Sequence, residues 1–478
     1  MSQFTRRNFL KTSFAAAGAT FAISGTKSSG NILGANDRIR IAVAGLHGRG
    51  KSHMGAFAKM KNVEVSYLVD PDSRTYGKAL KQVKGIAGNT PKTIKDIRTA
   101  LDDKNVDVVS IATPNHWHSL MTIWACQAGK DVYVEKPCSH NIHEGRIAVE
   151  TARKHDRIVQ HGTQQRSSSS RASEIAVVHS EKYGKLLVSK AYCCKPRWSI
   201  GFKQTETAPK ELDFNIWLGP APKQPYHGNL VHYNWHWFWD TGNGDTGNQG
   251  VHEMDIARWA IKDATLPTHV WSLGGRFGYE DQGETPNTQL TGFEYGDVLL
   301  LFETRGLVGK HEGFDFTVAN EYYTSEGMIR NGQFYPNNGG KSEKISGPKA
   351  HVNPGGAFGS FIQAVRSHDV GKLNADILKG HYSSALCHLC NISYRLGEQV
   401  PFNKKSQTLG ENKQVVEAYN NCRENLKAVG VDLKEATYQL GRSLKFDPKT
   451  EKFIDDKQAN ELLTRNYRKG FAVPDQVV

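Results

Sequence analysis

One stretch constrains this chain more than any other: an apolar strand, a helix and a second apolar strand packed into residues 105–137. Val106, Val108, Val109, Ile111 and Ala112 form a nearly unbroken apolar run that stops at Thr113-Pro-Asn-His-Trp-His118. A strand without polar alternation is buried on both faces, as in a parallel sheet covered by helices. Residues 119–128 then place Leu120, Ile123 and Trp124 on one side of a helix that Gly129 closes. Val132-Tyr-Val134 follows as the next strand and delivers Glu135-Lys136-Pro137. Ligands of open α/β sheets collect outside the carboxyl ends of the strands, so His116, His118 and Lys136 are expected at one crevice.

The chain before this stretch repeats the pattern with a glycine-rich turn. Arg38-Ile-Arg-Ile-Ala-Val-Ala-Gly45 alternates into an apolar strand, Gly45-Leu-His-Gly-Arg-Gly50 follows, and residues 51–60 read as a helix. Such a turn presents free helix N–H groups to a pyrophosphate, the arrangement of a dinucleotide site. Gly45 and Gly50 are in register; His47 stands where the middle glycine belongs, with Gly48 one place later and Arg49 beside it. Val63-Glu-Val-Ser-Tyr-Leu-Val69 is the second strand and ends in Asp70, placed to accept from the adenosine ribose hydroxyls. A carboxylate there repels a 2′-phosphate, which favours NAD over NADP, with Arg74 nearby as the opposing feature. Thr113, Pro114, Asn115, His118, Glu135 and Lys136 complete the cofactor candidates from the strand ends. Helices at 74–83, 94–103 and 143–155 and a strand at 157–161 continue the doubly wound α/β rhythm.

From Gly162 the rhythm changes. A polar hinge at 167–170 and a helix at 173–183 precede strands at 186–194, 268–277, 289–295, 298–304 and 314–324, with Glu294-Tyr-Gly-Asp297 as a hairpin turn. Hairpin-joined strands make an antiparallel sheet. The fold class is therefore α/β: an N-terminal Rossmann domain over 35–163, then an α+β domain over 164–372 with an open, mainly antiparallel sheet. Residues 359–397 return to helix, and 373–478 are expected to pack back on both domains. Gln164 and Arg166, just past the last parallel strand, either face the nicotinamide or form a hydrogen-bonded hinge.

Residues 1–34 read as a targeting segment: Arg6-Arg7 is followed by Phe9-Leu10-Lys11 and a mildly apolar run rich in Ala and Gly. That is the pattern of a twin-arginine export signal, which implies a periplasmic protein; the run is too weakly apolar for stable membrane insertion. The formal charge is +13, but the basic residues are interspersed with 48 acidic ones and form no dense block beyond the N-terminus. A nucleic-acid footprint would cluster them. Seven cysteines without regular spacing argue against a disulfide framework. Cys387-His-Leu-Cys390 sits in an amphipathic helical pattern with no second pair, so it reads as core packing and no metal site is expected.

The densest aromatic segment runs from Tyr233-Asn-Trp-His236 through a glycine loop to Gly250-Val-His-Glu-Met-Asp255. His252 and Asp255 share one face of a helix near its start, where His252 could exchange a proton and the carboxylate could orient it. A buried histidine in a packing segment is the competing reading. The glycine turn, Thr113–His118, Glu135-Lys-Pro and His252-x-x-Asp255, in this order, resemble the glucose-fructose oxidoreductase / inositol dehydrogenase (Gfo/Idh/MocA) family, in a secreted, twin-arginine branch. The resemblance implies Lys136 beside the nicotinamide and the substrate hydroxyl, and His252 as acid/base with Asp255; export of the folded protein with its cofactor already bound implies that the NAD is tightly held. The resemblance also implies a carbohydrate substrate, met by Lys136, Arg166, Trp235, His236, Asn248 and His252, and a homo-oligomer joined through the open sheet. The family often has Asp at the position of Asn248, which accepts no proton; Asp245 or Asp255 is the expected substitute. Two activities fit: oxidation of a sugar or glycoside hydroxyl, and redox-neutral glycoside cleavage through oxidation, elimination, hydration and reduction. A non-catalytic carbohydrate-binding protein is the third alternative.

Overall fold

The computed structural model describes residues 38–402 and 409–477; the twin-arginine segment lies outside them. Strands β1 (Ile39–Ala44), β2 (Val63–Val69), β3 (Lys92–Ile94), β4 (Val108–Ile111), β5 (Asp131–Val134) and β6 (Val159–His161) form a parallel sheet ordered β3-β2-β1-β4-β5-β6. Its strands are apolar throughout because helices cover both faces. One face packs Ala42, Val109 and Ile111 beneath α4 (Asn115–Gln127) and α5 (Ile142–Lys154). The other packs Ile41, Val43 and Tyr133 beneath α1 (Gly50–Ala58) and α2 (Tyr76–Ala87).

Two expectations in this domain change. Residues 94–103, read as one helix, hold the end of β3 and a four-residue helix, α3 (Arg98–Leu101). The helix expected from residue 119 begins at Asn115, directly after Pro114, which has extended backbone (φ −58°, ψ 153°) and no N–H to satisfy. His116 and His118 therefore lie in the first turn of α4 and not in a loop.

A helix, α6 (Ser169–His179), leads into the second sheet, so only Ser168 remains of the expected hinge and its hydroxyl caps the helix at Arg171 N. Strands β7 (Leu186–Cys194), β8 (His269–Gly275), β9 (Thr288–Tyr295), β10 (Val298–Arg305) and β11 (Thr317–Thr324) make its centre, ordered β11-β7-β10-β9-β8. All pairs there are antiparallel except β7 with β10. One face is buried under α8 (Val251–Ala260) and α10 (Ile377–Arg395), α7 being the short helix Phe214–Leu218. Cys387 and Cys390 lie in that core, and all seven cysteines are buried free thiols. Helix α9 (Gly356–Ser367) returns to the first sheet, where Phe361 meets Phe57 and Tyr133. A further helix, α11 (Lys413–Ala428), covers the other face of the second sheet. The tail is less polar in effect than in composition: Phe471 and Val473 are buried beside Trp117 of α4. Among the described residues, no helix is long and apolar enough to cross a membrane.

Candidate active site

The turn between β1 and α1 is shaped by two glycines. Gly45 has φ +83°, and a Cβ on it would come 2.4 Å from the Ala112 carbonyl oxygen. A Cβ on Gly50 would come 1.8 Å from the Gly45 carbonyl oxygen, so helix and turn meet with nothing between them. Gly48 has open space around it. Asp70 ties the turn to β2, accepting from Leu46 N at 2.9 Å and from Asp72 N at 3.0 Å. Burial pushes its carboxyl up to about 6, against those two N–H donors.

At the end of β5 the Glu135 carboxylate accepts from Arg49 Nε (2.8 Å) and Gln164 Nε2 (3.3 Å) and meets His53 Nε2 at 3.1 Å. Burial opposes its ionisation, yet His53, Arg49 and Lys136 hold it well below the carboxylate range. Glu135 is thus an anchor that fixes Arg49 and Gln164 at the edge of the cleft. The His118 ring nitrogens face the Thr113 and Pro137 carbonyls at 2.8 and 2.5 Å, which ties the ends of β4 and β5 together. Beside it, Thr113 Oγ1 is buried without a partner, free to bond a ligand in the cleft.

One cleft runs along these strand ends from Asp70 and the glycine turn to His252. Gly45, His47, Gly48 and Arg49 line it at one end, and Thr113, Pro114, Asn115 and His118 along its floor. Glu135, Lys136 and Gln164 follow, and Trp235, His236, Asn248 and His252 close the far end. Gly50 stands behind the turn. Lys136 donates from Nζ to the Asn248 carbonyl, and burial lowers its ammonium below the ordinary lysine value against the charges of Glu135 and Glu253. His252 lies at the start of α8, after a single π-helical turn, Thr246–Gly250. Burial, with the charge of Lys136, pushes its imidazole down to about 3, so it is neutral at physiological pH and not poised near 7.

Four expected residues have other employment. Asp255 is turned from the cleft: both its oxygens accept from Arg166 Nε at 2.9 Å, and Ser383 Oγ donates at 2.5 Å. Burial alone would raise its carboxyl, yet Arg166 and Arg258 hold it low. Arg166 is correspondingly buried over the Trp259 ring and does not line the cleft, so the hinge reading applies to it. Asp245 pairs with Arg197 at 2.7 Å. Lys136 meets the main-chain oxygen of Asn248, whose side-chain amide donates to Tyr233 Oη at 3.3 Å. His116 is sealed off, its nitrogens 3.1 and 3.0 Å from the Thr241 and Trp217 carbonyls.

Other residues reach the cleft without having been expected there. Lys95, Asp96 and Ile97 follow the short strand β3, and Ile216, Trp217, His232 and Tyr233 come from residues 195–245. These last form a strap across the nucleotide end. Leu212 bridges to Asp72, Ser73 N donates to Glu211 O and Asp213 N to Pro71 O. His232 stacks on His47 at 4.3 Å with an interplanar angle of 8°, and its Nε2 lies 2.9 Å from Asp72. Sequence alone carries no signal for that pairing, because the partners lie far apart in the chain.

The parallel strand ends, the glycine turn with its tight packing, the acidic end of β2 and the orphaned Thr113 hydroxyl fit a dinucleotide. Residues 39–163 match the family model described as "Oxidoreductase family, NAD-binding Rossmann fold", and residues 187–276 and 416–473 match that described as "Oxidoreductase family, C-terminal alpha/beta domain". The chain belongs to the Gfo/Idh/MocA oxidoreductase family. Its first domain is an NAD-binding Rossmann domain. A curated relative, the glycosyl hydrolase family 109 protein 2 of Shewanella sp. (strain ANA-3), is 30% identical over 172 residues. That match spans 32% of this chain and 38% of the relative. Levoglucosan dehydrogenase, solved with NADH and levoglucosan, shares the fold at 15% identity and a TM-score of 0.55, over 74% of this chain and 96% of that one. The WlbA dehydrogenase from Bordetella pertussis, solved with NADH and UDP-GlcNAcA, shares it at 17% identity and a TM-score of 0.53, over 73% and 94%.

Proposed function

We propose that the protein oxidises a hydroxyl of a sugar or glycoside, using an NAD that stays bound through the turnover. The observation that carries this reading is the continuity of one cleft from the glycine turn, past Lys136, to the wall of Trp235, His236, Asn248 and His252. NAD held along this cleft would supply a hydride acceptor for a substrate carbon and, where the product is reduced again, a hydride donor. The chain must then manage the hydroxyl proton. Lys136 is better suited than His252 to take it: desolvation lowers its ammonium below the ordinary lysine value, whereas His252 is held near 3 and binds a proton poorly. Neutral His252 orients the hydroxyl, the Asn248 carbonyl aims the Lys136 amine, and Tyr233 with the Trp235–His236 stack offers polar and aromatic surface to a sugar ring. The strap over the nucleotide end supports a retained cofactor, because release requires parting His232 from His47 and Leu212 from Asp72.

The relatives named glycosyl hydrolase family 109 proteins favour a second reading, redox-neutral glycoside cleavage at the same site. Incubating the purified protein with a panel of hexosides, with no cofactor added, separates the two. Products lighter by two hydrogens support net oxidation; free sugar plus aglycone supports cleavage. A holoprotein that leaves every hexoside unchanged while binding it speaks for a carbohydrate-binding role and against both. Export by the twin-arginine route is part of the proposal, and replacing Arg6 and Arg7 by Lys should retain the protein in the cytoplasm.

A further inference from the structure

Directly after His252 stands Glu253, a carboxyl that the sequence does not single out. It is 6% exposed, on the side of α8 that faces the second sheet, where Asn320 Nδ2 donates to its main-chain oxygen at 2.9 Å. Among the described residues, no arginine or lysine forms an ion pair with its side chain. Gln249 of the π-helical turn donates from Nε2 to both its oxygens, at 3.0 and 3.3 Å, and Gln249 Oε1 in turn accepts from Lys195 Nζ at 2.9 Å. The residue before Gln249 is Asn248, whose carbonyl holds Lys136 Nζ. Glu253 thus braces the turn that aims Lys136, and its own charge acts on that amine.

We propose that Glu253 is a positioning residue for Lys136: through Gln249 it fixes the turn that presents the Asn248 carbonyl, and its ionisation sets the proton affinity of the Lys136 amine. Glu135, Glu253 and the Cys387 thiol favour the charged form of Lys136, and Arg49 disfavours it. Lys136 also interacts with the rings of His118, His236 and His252, whose charged forms it disfavours. Around Glu253 stand Asp245, Lys136 and the Cys193 thiol, besides Gln249. Glu135 is held ionised by Arg49 and His53, so its charge is constant near neutral pH. Glu253 is different: burial pushes its carboxyl up to about 8, against the bond from Gln249, so its charge changes near neutral pH. Ionised, it favours the ammonium; protonated, it favours the free amine that accepts the substrate proton. The pair then limits the change of buried charge when Lys136 gains or loses a proton.

This rests on Lys136 being the base proposed above, yet its test needs no turnover. Lysine side chains are labelled with 13C at Cε, and the Lys136 signal is identified by its loss in Lys136→Met. The expected titration lies below that of the surface lysines, falls by about one pH unit more in Glu253→Gln and returns to the wild-type value in Glu253→Asp. Coupling is reciprocal, so the Glu253 carboxyl, followed by 13C at Cδ, should titrate higher by the same amount in Lys136→Met. This second arm decides the matter if Glu253→Gln does not fold. Unmoved titrations in either arm overturn the coupling. Unchanged turnover in Lys136→Ala instead overturns the catalytic role of Lys136 while leaving the coupling intact.

Discussion

Replacing Gly50 by Ala tests how the cofactor turn is built. The added methyl would lie 1.8 Å from the Gly45 carbonyl oxygen, where ordinary contact begins at 3.4 Å, so the oxygen must retreat by about 1.6 Å. It has little room. Gly45 N is bonded to Val69 O at 2.9 Å, and Leu46 N to Asp70 at 2.9 Å, so the turn moves only by breaking its ties to β2. Overpacking of this kind costs about 3 kcal/mol, and the better helix propensity of Ala returns about 1 kcal/mol. About 2 kcal/mol remains, roughly thirtyfold in an equilibrium constant. Gly48→Ala is the control: nothing lies near its added Cβ, so stability should change by less than about 0.5 kcal/mol. Denaturant unfolding and calorimetric titration with NAD measure both. A Gly50→Ala protein with wild-type stability and NAD affinity, or a Gly48→Ala protein less stable than Gly50→Ala, refutes this account of the turn.

Other residues give further expectations. The folded Asp70 carboxyl titrates near 6 instead of 3.8, so the folded state binds the proton more tightly; cofactor-free protein should lose about 3 kcal/mol as pH rises through that window. Asp70→Asn should abolish that slope in unfolding measurements, and NAD should protect the wild type more strongly above pH 6, where the ionised carboxylate accepts from ribose. Arg166→Ala strands the buried Asp255 and should cost about 3–5 kcal/mol in denaturant unfolding. Because Asp255 is held low, the stability from this pair is present above the ordinary carboxylate pKa and lost as pH falls through the lowered one. His232→Ala removes the stack on His47 and the contact with Asp72, and should speed NAD dissociation several-fold while the melting temperature changes little.

The first domain is largely legible in the sequence because a parallel sheet buried on both faces writes itself as unbroken apolar runs. Strand β2 and the first strand of the second domain have the expected bounds. Strand β3 is only three residues long and half-exposed at the sheet edge, so no apolar run announces it. Helix α11 left a signal, with Asn412 as cap and Val415, Tyr419, Cys422 and Leu426 on one buried face. In the site, residues supplied by strand ends were legible because topology alone sends them to the cleft. Side chains whose job depends on a distant partner were not: Asp255 looks like the companion of His252 until Arg166, 89 positions away, is seen to hold it. Likewise the strap is legible only as an aromatic-rich loop, since what it covers is set by packing.

The central claim, hydride transfer to a resident NAD with Lys136 taking the proton, is tested most directly by isotope. A hexoside that the protein turns over is deuterated at each ring carbon bearing a hydroxyl, mixed with holoprotein and quenched in acid within one turnover, and the released dinucleotide is weighed. Deuterium is expected in the nicotinamide ring, appearing on the order of a hundredfold more slowly in Lys136→Ala. Product formed at the wild-type rate with no deuterium ever reaching the dinucleotide would contradict it.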